Sequence, residues 1–344
     1  MPQIDERQLK QNIKERNFAR AYFIYGDEDY LKQFYCDFIS KKCVSDGMEG
    51  FNLKKYDATD GGTFDEVQEA SQTLPAFSGY ACVVAHDFPL DNIFGIDKDA
   101  FSDFIKDIPE TTVLIFWQDT VEVNLKKNSK YKSIVDLISK NGDTVCFDRM
   151  DRDSLTKILV TGASKRGCRL EKNTALYLID TVGTDLTTLQ NELEKLCNYK
   201  KNSVIENKDI DEICIKSLEA NVFDLSRAIG AKNSQKAFAI LEKLLDEKEK
   251  PELILGTLIA AYVDMYRAKT ALEAGEKADF AAGIYNYKNK EFRLRNAARD
   301  CSKLSLSELC LCLDKLNSAD QKLKTRVISE KIILEKLITE LLRS

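Results

Sequence analysis

The first 150 residues alternate short apolar runs with amphipathic segments of helical length, and this alternation constrains the fold more than any other feature. Apolar runs predict buried strands at 21–25, 80–85, 111–117 and 144–147, and the alternating segment 51–56 is typical of an edge strand. Helices are predicted between them, at about 29–43, 63–73, 101–108 and 131–140. Strands separated by helices in this way predict βαβ units, and therefore a parallel sheet covered by helices on both faces.

The strand pattern ends after Asp148, and the rest of the sequence predicts helices alone. One helix is expected to run to Lys165, capped by Asp153 or Ser154, and others span 172–181, 185–198 and a short segment from 208. From Ser217 onward the pattern is helical throughout, with a broad apolar stripe over 319–342. The sequence therefore predicts three domains: an α/β domain at 1–148, a small helical domain at 149–215 and a helical bundle at 216–344.

Composition narrows the possible functions. A single histidine, His86, excludes a three-histidine zinc site or an HExxH protease within one chain. None of the ten cysteines forms a CxxC pair, and several lie inside apolar runs, as expected of buried free thiols in a reducing compartment. The charged N-terminus is unlike a signal peptide, and no run approaches the roughly 18 apolar residues of a membrane span. These features predict a cytoplasmic protein with no membrane partner.

The turn after the first predicted strand lies where an α/β nucleotide-binding domain carries its phosphate-binding loop. A P-loop needs GxxxxGK[ST], so that backbone N–H groups and a lysine hold the phosphates. Here one glycine, Gly26, is followed by three acids (27–29) and no lysine before Lys32. Three carboxylates would repel a triphosphate, whereas acids at a helix N-terminus interact favourably with the helix dipole. The sequence therefore predicts helix-dipole stabilisation here and no ATP site.

Acidic residues in two further segments have both a chemical and a structural interpretation. Asp87 follows an apolar strand, as a magnesium-binding acid would, but its usual partner acid is missing, and His86 has no accompanying nucleophile motif such as GxSxG. Asp148, Asp151 and Asp153 lie at a predicted domain boundary, where a solvated linker or a helix cap is the expected role. No zinc spacing, dinucleotide fingerprint or calcium loop is present. We therefore predict no catalytic, cofactor or metal site, and interpret the chain as a binding protein on an enzyme-like scaffold.

The segment 74–79 (LPAFSG) is the clearest candidate for binding. A helix is expected to end by Pro75, which leaves Phe77 on the turn before the strand at 80. The sequence by itself favours Phe77 packing into the core. The alternative is an exposed aromatic anchor for the pocket of a partner, the arrangement found at interface hot spots.

Six motifs in this order resemble the family of delta subunits of the bacterial DNA polymerase III clamp loader. They are 22–31 (YFIYGDEDYL), 74–78 (LPAFS), 112–116 (TVLIF), 183–196 (GTDLTTLQNELEKL), 221–225 (NVFDL) and 320–324 (DQKLK). The resemblance covers nearly the whole chain. It implies an AAA+-like α/β domain without a P-loop, a small helical lid domain and an all-α C-terminal collar domain.

The resemblance also implies a function and a binding site. In this family a hydrophobic pair inserts into the beta sliding clamp and helps to open it for loading onto primed DNA, while ATP is bound by partner subunits. The implied clamp-binding residues are Leu74, Pro75, Ala76 and Phe77. The family pair is commonly leucine-phenylalanine, so Ala76 is a departure. The chain is then expected to be a subunit without catalysis or cofactor in the DNA-directed DNA polymerase complex, joined through its collar to subunits of the gamma/tau and delta-prime type.

The C-terminal part also carries a basic stretch. Residues 1–150 contain 18 basic and 26 acidic groups and residues 151–344 contain 33 and 30, which gives −8 and +3 and sums to the net charge of −5. The stretch consists of Lys288, Lys290, Arg293, Arg295 and Arg299. An amphipathic surface is its ordinary interpretation, and contact with DNA or with a neighbouring collar helix is the alternative. A divergent AAA+ NTPase and a helical adaptor outside replication also stay open as functions.

Overall fold

The fold is described from a computed structural model, which covers residues 3–77, 79–93, 98–285, 287, 290–325 and 329–343. The chain divides into two compact units, residues 1–150 and 151–344. Within the described residues, no helix is long and apolar enough to cross a membrane. The subdivision of the second unit at residue 215 stays a prediction.

The first unit is built on a five-stranded parallel sheet in the order β2-β3-β4-β1-β5. The strands are β1 (Ala21–Tyr25), β2 (Leu53–Asp57), β3 (Ala81–His86), β4 (Thr112–Trp117) and β5 (Asp143–Cys146). The helices are α1 (Glu6–Lys14), α2 (Asp29–Cys43), α3 (Glu49–Asn52), α4 (Phe64–Gln72), α5 (Leu90–Ile93), α6 (Lys98–Asp107) and α7 (Ser129–Asn141). The predicted parallel sheet is thus confirmed.

The sheet is buried on both faces, as its continuous apolar strands require. Phe23, Val83 and Phe116 point to one face and pack with side chains of α4, α6 and α7 in a single core. Their neighbours Tyr22 and Ile24 are buried on the other face, where α2 lies against β1, β3 and β4. Two details of the prediction were wrong. The helices α1 and α5 were missed, and the segment 51–56 begins with a helical turn before β2.

The second unit is almost entirely helical. Its helices are α8 (Arg152–Lys165), α9 (Lys172–Val182), α10 (Leu186–Lys200), α11 (Asn207–Ile213), α12 (Leu218–Gly230), α13 (Ser234–Asp246), α14 (Pro251–Glu273), α15 (Phe292–Asp300), α16 (Leu306–Thr325) and α17 (Glu330–Leu342), with a 3-10 helix at Phe280–Gly283. One core cluster joins α12, α13, α14, α16 and α17. The predicted helical C-terminal part is confirmed.

The prediction of helices alone after Asp148 needs two corrections. Two-residue strands, β6 (Arg169–Leu170) and β7 (Val204–Ile205), pair in parallel. They are too short to produce a periodic pattern, so the sequence does not show them. The apolar stripe over 319–342 is also divided between two helices, because Ser329 has an extended ψ of 129° just before α17. Val327 and Ile328, which belong to that stripe, lie outside the described residues.

Candidate functional site

The loop between α4 and β3 exposes a phenylalanine at the amino edge of the sheet. Helix α4 begins with a capping box in which Thr63 and Glu66 exchange hydrogen bonds, and it ends at Gln72. In the loop that follows, the Phe77 side chain is 83% exposed and Leu74 is 68% exposed. Phe77 has a φ of +68°, a left-handed conformation that is uncommon for a residue other than glycine. The backbone therefore directs this ring outward at a cost in strain.

A buried amide holds the backbone next to Phe77. Asn52, the last residue of α3, is only 3% exposed. Its Oδ1 accepts a hydrogen bond from the Ala76 N–H at 2.8 Å, and its Nδ2 donates to the Ala76 carbonyl at 3.1 Å. Both backbone polar groups of Ala76, its N–H and its carbonyl, are thus paired with one side chain, in the way that a neighbouring strand would pair them.

A second phenylalanine joins the exposed surface. Phe51 directly precedes Asn52, is 66% exposed, and meets the Phe77 ring edge to face, with the ring centroids 6.2 Å apart. We call Phe51, Leu74 and Phe77 the amino-edge apolar surface. Pro75 and Ala76 lie between them and are half-buried. The sequence prediction that Phe77 packs into the core is wrong, and Phe51 was missed because its segment was interpreted as a strand.

At the opposite, carboxyl edge of the sheet, the backbone of Phe147 packs against the turn after β1, where a phosphate-binding loop would lie. Gly26 has a φ of +118°, and a Cβ built on it would lie 2.3 Å from the Phe147 carbonyl oxygen. The backbone of Phe147 also accepts a hydrogen bond from the Glu28 N–H at 2.9 Å and donates one to the Tyr25 carbonyl at 2.7 Å. The turn after β1 is therefore closed against the chain that leaves β5.

The first lysine after this turn, Lys32, is buried and forms ion pairs within the protein. The Lys32 side chain is 1% exposed, and its Nζ lies 2.8 Å from Asp29 Oδ1 and 3.5 Å from Asp119 Oδ1. Burial raises the pKa of Asp119, although the Lys32 ammonium opposes that shift. This ion pair joins the start of α2 to the loop after β4, at the crevice where α/β sheets usually bind ligands. Asp29, the last of the three acids after Gly26, thus pairs with a buried lysine, in addition to its favourable place at a helix N-terminus.

His86 and Asp87 are both held by contacts within the first unit. The His86 ring stacks on Trp117 with centroids 4.0 Å apart, and its Nδ1 lies 2.6 Å from Asp57 Oδ2. Asp87 is buried, and its carboxylate accepts hydrogen bonds from the Asp119 N–H at 2.6 Å and the Thr120 hydroxyl at 2.6 Å. Burial raises the pKa of Asp87, but these hydrogen bonds outweigh it and the pKa is lowered overall. Asp87 therefore fixes the loop after β4.

The acids at the boundary between the units cap a helix and pair with neighbours. Asp151, and neither Asp153 nor Ser154, is the N-cap of α8, accepting a hydrogen bond from the Ser154 N–H at 2.7 Å. Asp153 lies 3.6 Å from Lys172 Nζ, and Asp148 accepts from the Cys146 thiol at 3.6 Å. Among the described residues, no group of three or more His, Cys, Asp or Glu side chains could hold a metal ion.

Two arginines of the basic stretch form ion pairs within the second unit. Arg293 donates from Nε to the buried carboxylate of Asp264 at 2.9 Å, and Asp264 also accepts from the Tyr287 hydroxyl. Arg295 pairs with Asp279 at 2.7 Å. No local pattern in the sequence indicates these partners, because α14 and α15 meet only in the folded bundle.

The remaining members of the stretch have fewer internal partners. Lys290 and Arg299 are exposed, and Arg299 hydrogen-bonds Asn296 on its own helix. Lys288 lies outside the described residues. The stretch is therefore not one uniform basic surface.

Comparison with known proteins gives consistent matches over nearly the whole chain. A family model described as DNA polymerase III, delta subunit, matches residues 22–147, and one described as DNA polymerase III delta subunit, C-terminal domain, matches residues 219–341. The chain is 22% identical over 340 residues to DNA polymerase III subunit delta of Bacillus subtilis (strain 168), which covers 96% of this chain and 95% of that protein. A probable DNA polymerase III subunit delta of Aquifex aeolicus (strain VF5) is 20% identical over 226 residues, 64% of this chain and 63% of that protein.

A solved structure shows the same fold. The Bacillus subtilis DNA clamp loader delta protein superposes with a TM-score of 0.60 at 21% identity, covering 98% of this chain and 99% of that one. The agreement in fold extends over both units of the chain.

Proposed function

This chain belongs to the family of DNA polymerase III delta subunits, and from that premise we propose that it is the clamp-loader subunit that binds the beta sliding clamp and helps to open it for loading onto primed DNA. The observation that carries the proposal is that Phe77, a loop residue with a left-handed backbone conformation, is exposed to solvent. A large aromatic ring held in water at the cost of backbone strain is typical of an anchor that is buried in a partner.

The proposed clamp contact consists of Leu74, Pro75, Ala76 and Phe77. Leu74 and Phe77 supply the exposed apolar area, whereas Pro75 and Ala76 are half-buried and support the loop. Burying a phenylalanine removes about 150–250 Å² from water, at about 25 cal/mol per Å². Phe77 alone then accounts for about 4–6 kcal/mol before the costs of association. Opening of the ring follows if the subunit binds the open clamp more tightly than the closed one, because only a difference in affinity shifts that equilibrium.

We propose that the chain performs no catalysis and that ATP is used by partner subunits of the gamma/tau and delta-prime type, joined through the C-terminal helical bundle. Two observations support this. The turn after β1 is closed by Gly26 against Phe147, and the buried Lys32 ammonium is paired with the Asp29 and Asp119 carboxylates. Equilibrium binding of ATP to the isolated chain tests the point, and micromolar affinity would contradict it. As a subunit of the replication machinery, the protein would act in the bacterial cytoplasm.

Contact with DNA is proposed for a smaller set of basic residues than the sequence suggested. Lys290 and Arg299 are exposed, whereas Arg293 is held by Asp264 within the bundle. Charge-removing changes at Lys290 and Arg299 should weaken the binding of the assembled loader to primed DNA at every sequence. Each change should also make the slope of log K against log salt concentration shallower by about one unit for every phosphate contact that is lost. An unchanged salt slope would remove these residues from the proposal.

The direct test of the clamp proposal is retention of the full chain on immobilised sliding clamp. Phe77→Ala should weaken binding by about 2–4 kcal/mol, or roughly 30- to 1,000-fold, as hot-spot truncations do. The matched control is Phe34→Ala, which removes a 46% exposed phenylalanine from α2. Equal binding by wild type and Phe77→Ala would refute clamp contact through this loop.

A further inference from the structure

We infer that the clamp contacts the whole amino-edge apolar surface, which comes from two separate segments of the chain. Phe51 is a second contact residue, and Asn52 is the residue that positions the Phe77 loop. This inference rests on the proposed function. Both residues lie on α3, a separate element that precedes the Phe77 loop by about twenty residues in the sequence. The matching site on the clamp is then an apolar pocket that is wide enough for two aromatic rings meeting edge to face.

The first step concerns the conformation of the loop. Phe77 has a left-handed φ of +68°, which a phenylalanine does not adopt without support from its surroundings. The residue directly before it, Ala76, is held at its N–H and at its carbonyl by the Asn52 amide, at 2.8 and 3.1 Å. Asn52 is buried, so water does not compete strongly for these hydrogen bonds. The amide thus holds Ala76 and, through it, the direction of the Phe77 ring.

The second step concerns how α3 holds both residues. The helix is a single turn in which the N–H groups of Phe51 and Asn52 both donate to the Met48 carbonyl, at 3.1 and 2.9 Å. It continues directly into the edge strand β2 at Leu53. Adjacent residues on a helical turn point in different directions, so Asn52 turns inward while Phe51 is left 66% exposed beside Phe77.

The third step concerns affinity. A loop that is ordered before binding loses less conformational entropy when it docks, so positioning by Asn52 increases affinity without any contact of its own. Phe51 adds apolar area that Ala76, with its small half-buried side chain, does not supply. We therefore expect Phe51→Ala and Asn52→Ala each to weaken clamp binding about tenfold or more, although Asn52 does not reach the partner.

The experiment measures binding of the full chain to purified sliding clamp for Phe77→Ala, Phe51→Ala and Asn52→Ala, with Phe34→Ala as the matched control. Asn52→Asp keeps the acceptor for the Ala76 N–H and loses the donor to the Ala76 carbonyl, so we expect it to weaken binding as well. If Phe77→Ala binds like wild type, the proposed function itself fails. If Phe77→Ala loses affinity while Phe51→Ala and Asn52→Ala behave like the control, this inference alone is overturned.

A second readout separates positioning from general loss of structure and needs no clamp. In native buffer, chymotrypsin should cleave after Phe77 about tenfold faster in Asn52→Ala or Asn52→Asp, because loss of ordering exposes the backbone. Cleavage after Phe34, inside helix α2, should stay at the wild-type rate. Equal acceleration at both sites would show general loosening and would contradict a positioning role for Asn52.

Discussion

Gly26→Ala offers a stringent test of the closed turn at the carboxyl edge of the sheet. The substitution places a methyl group where three backbone atoms of Phe147 lie within 2.8 Å. These atoms belong to the chain directly after β5 and cannot rotate away as a side chain would. We expect the turn to be unable to accept alanine without moving Phe147 or the start of α2.

The expected magnitude follows from two contributions. A residue with a Cβ at a φ of +118° costs about 1–3 kcal/mol in backbone strain. Displacing Phe147 also weakens its hydrogen bonds to Glu28 and Tyr25, at about 1 kcal/mol each. Together they predict a loss of about 3–5 kcal/mol in the free energy of unfolding of the first unit, a large part of the stability of an ordinary domain.

Urea unfolding followed by tryptophan fluorescence measures this loss in the first unit alone, since Trp117 is the only tryptophan in the sequence and lies on β4. If the free energy of unfolding falls by about 2 kcal/mol per M of urea, the urea concentration at the midpoint of unfolding should fall by about 1.5–2.5 M. Gly47→Ala is the matched control, because Gly47 also has a positive φ (+80°) but no atom lies within 4 Å of its Cβ position. Its expected cost is about 1 kcal/mol. Equal losses for the two variants would refute the close packing of this turn.

Three further outcomes are expected. Hydrogen bonds from Thr59 and His86 lower the pKa of Asp57 to about 2, so its stabilising effect should be complete above pH 4 and be lost as the pH falls towards 2. Asp57→Asn should remove that part of the acid sensitivity in Trp117-monitored titrations, and an unchanged acid transition would contradict it. Cys310 is an exposed thiol and should react with Ellman's reagent before the buried cysteines, a ranking that peptide mapping checks. Asp264→Asn should lower the thermal midpoint of the second unit by several degrees, because it removes the carboxylate that pairs with Arg293, and calorimetry showing no shift would refute this.

The accuracy of the sequence predictions varied with how local the determining interactions are. The helix predicted at 29–43 matches α2, and four buried strands were placed within about one residue of their bounds, because apolar periodicity follows directly from burial on a sheet. The N-cap of α8 was assigned to Asp153 or Ser154 instead of Asp151, since neighbouring aspartate and serine residues are similarly suited to cap a helix. The strands β6 and β7 were missed, because two residues carry no period.

The sequence by itself determined the α/β and helical parts, the absence of a GxxxxGK[ST] motif and the position of a phenylalanine on the loop after α4. It favoured the wrong direction for Phe77, because a ring on a short turn packs into the core more often than it is exposed. Only the tertiary structure decided that, through the buried amide of Asn52, which reaches Ala76 from 24 residues away and holds its N–H and its carbonyl. The same holds for Phe51 and for Arg293, whose neighbours come from distant segments. Such contacts depend on how elements pack together, and no local pattern of residues encodes them.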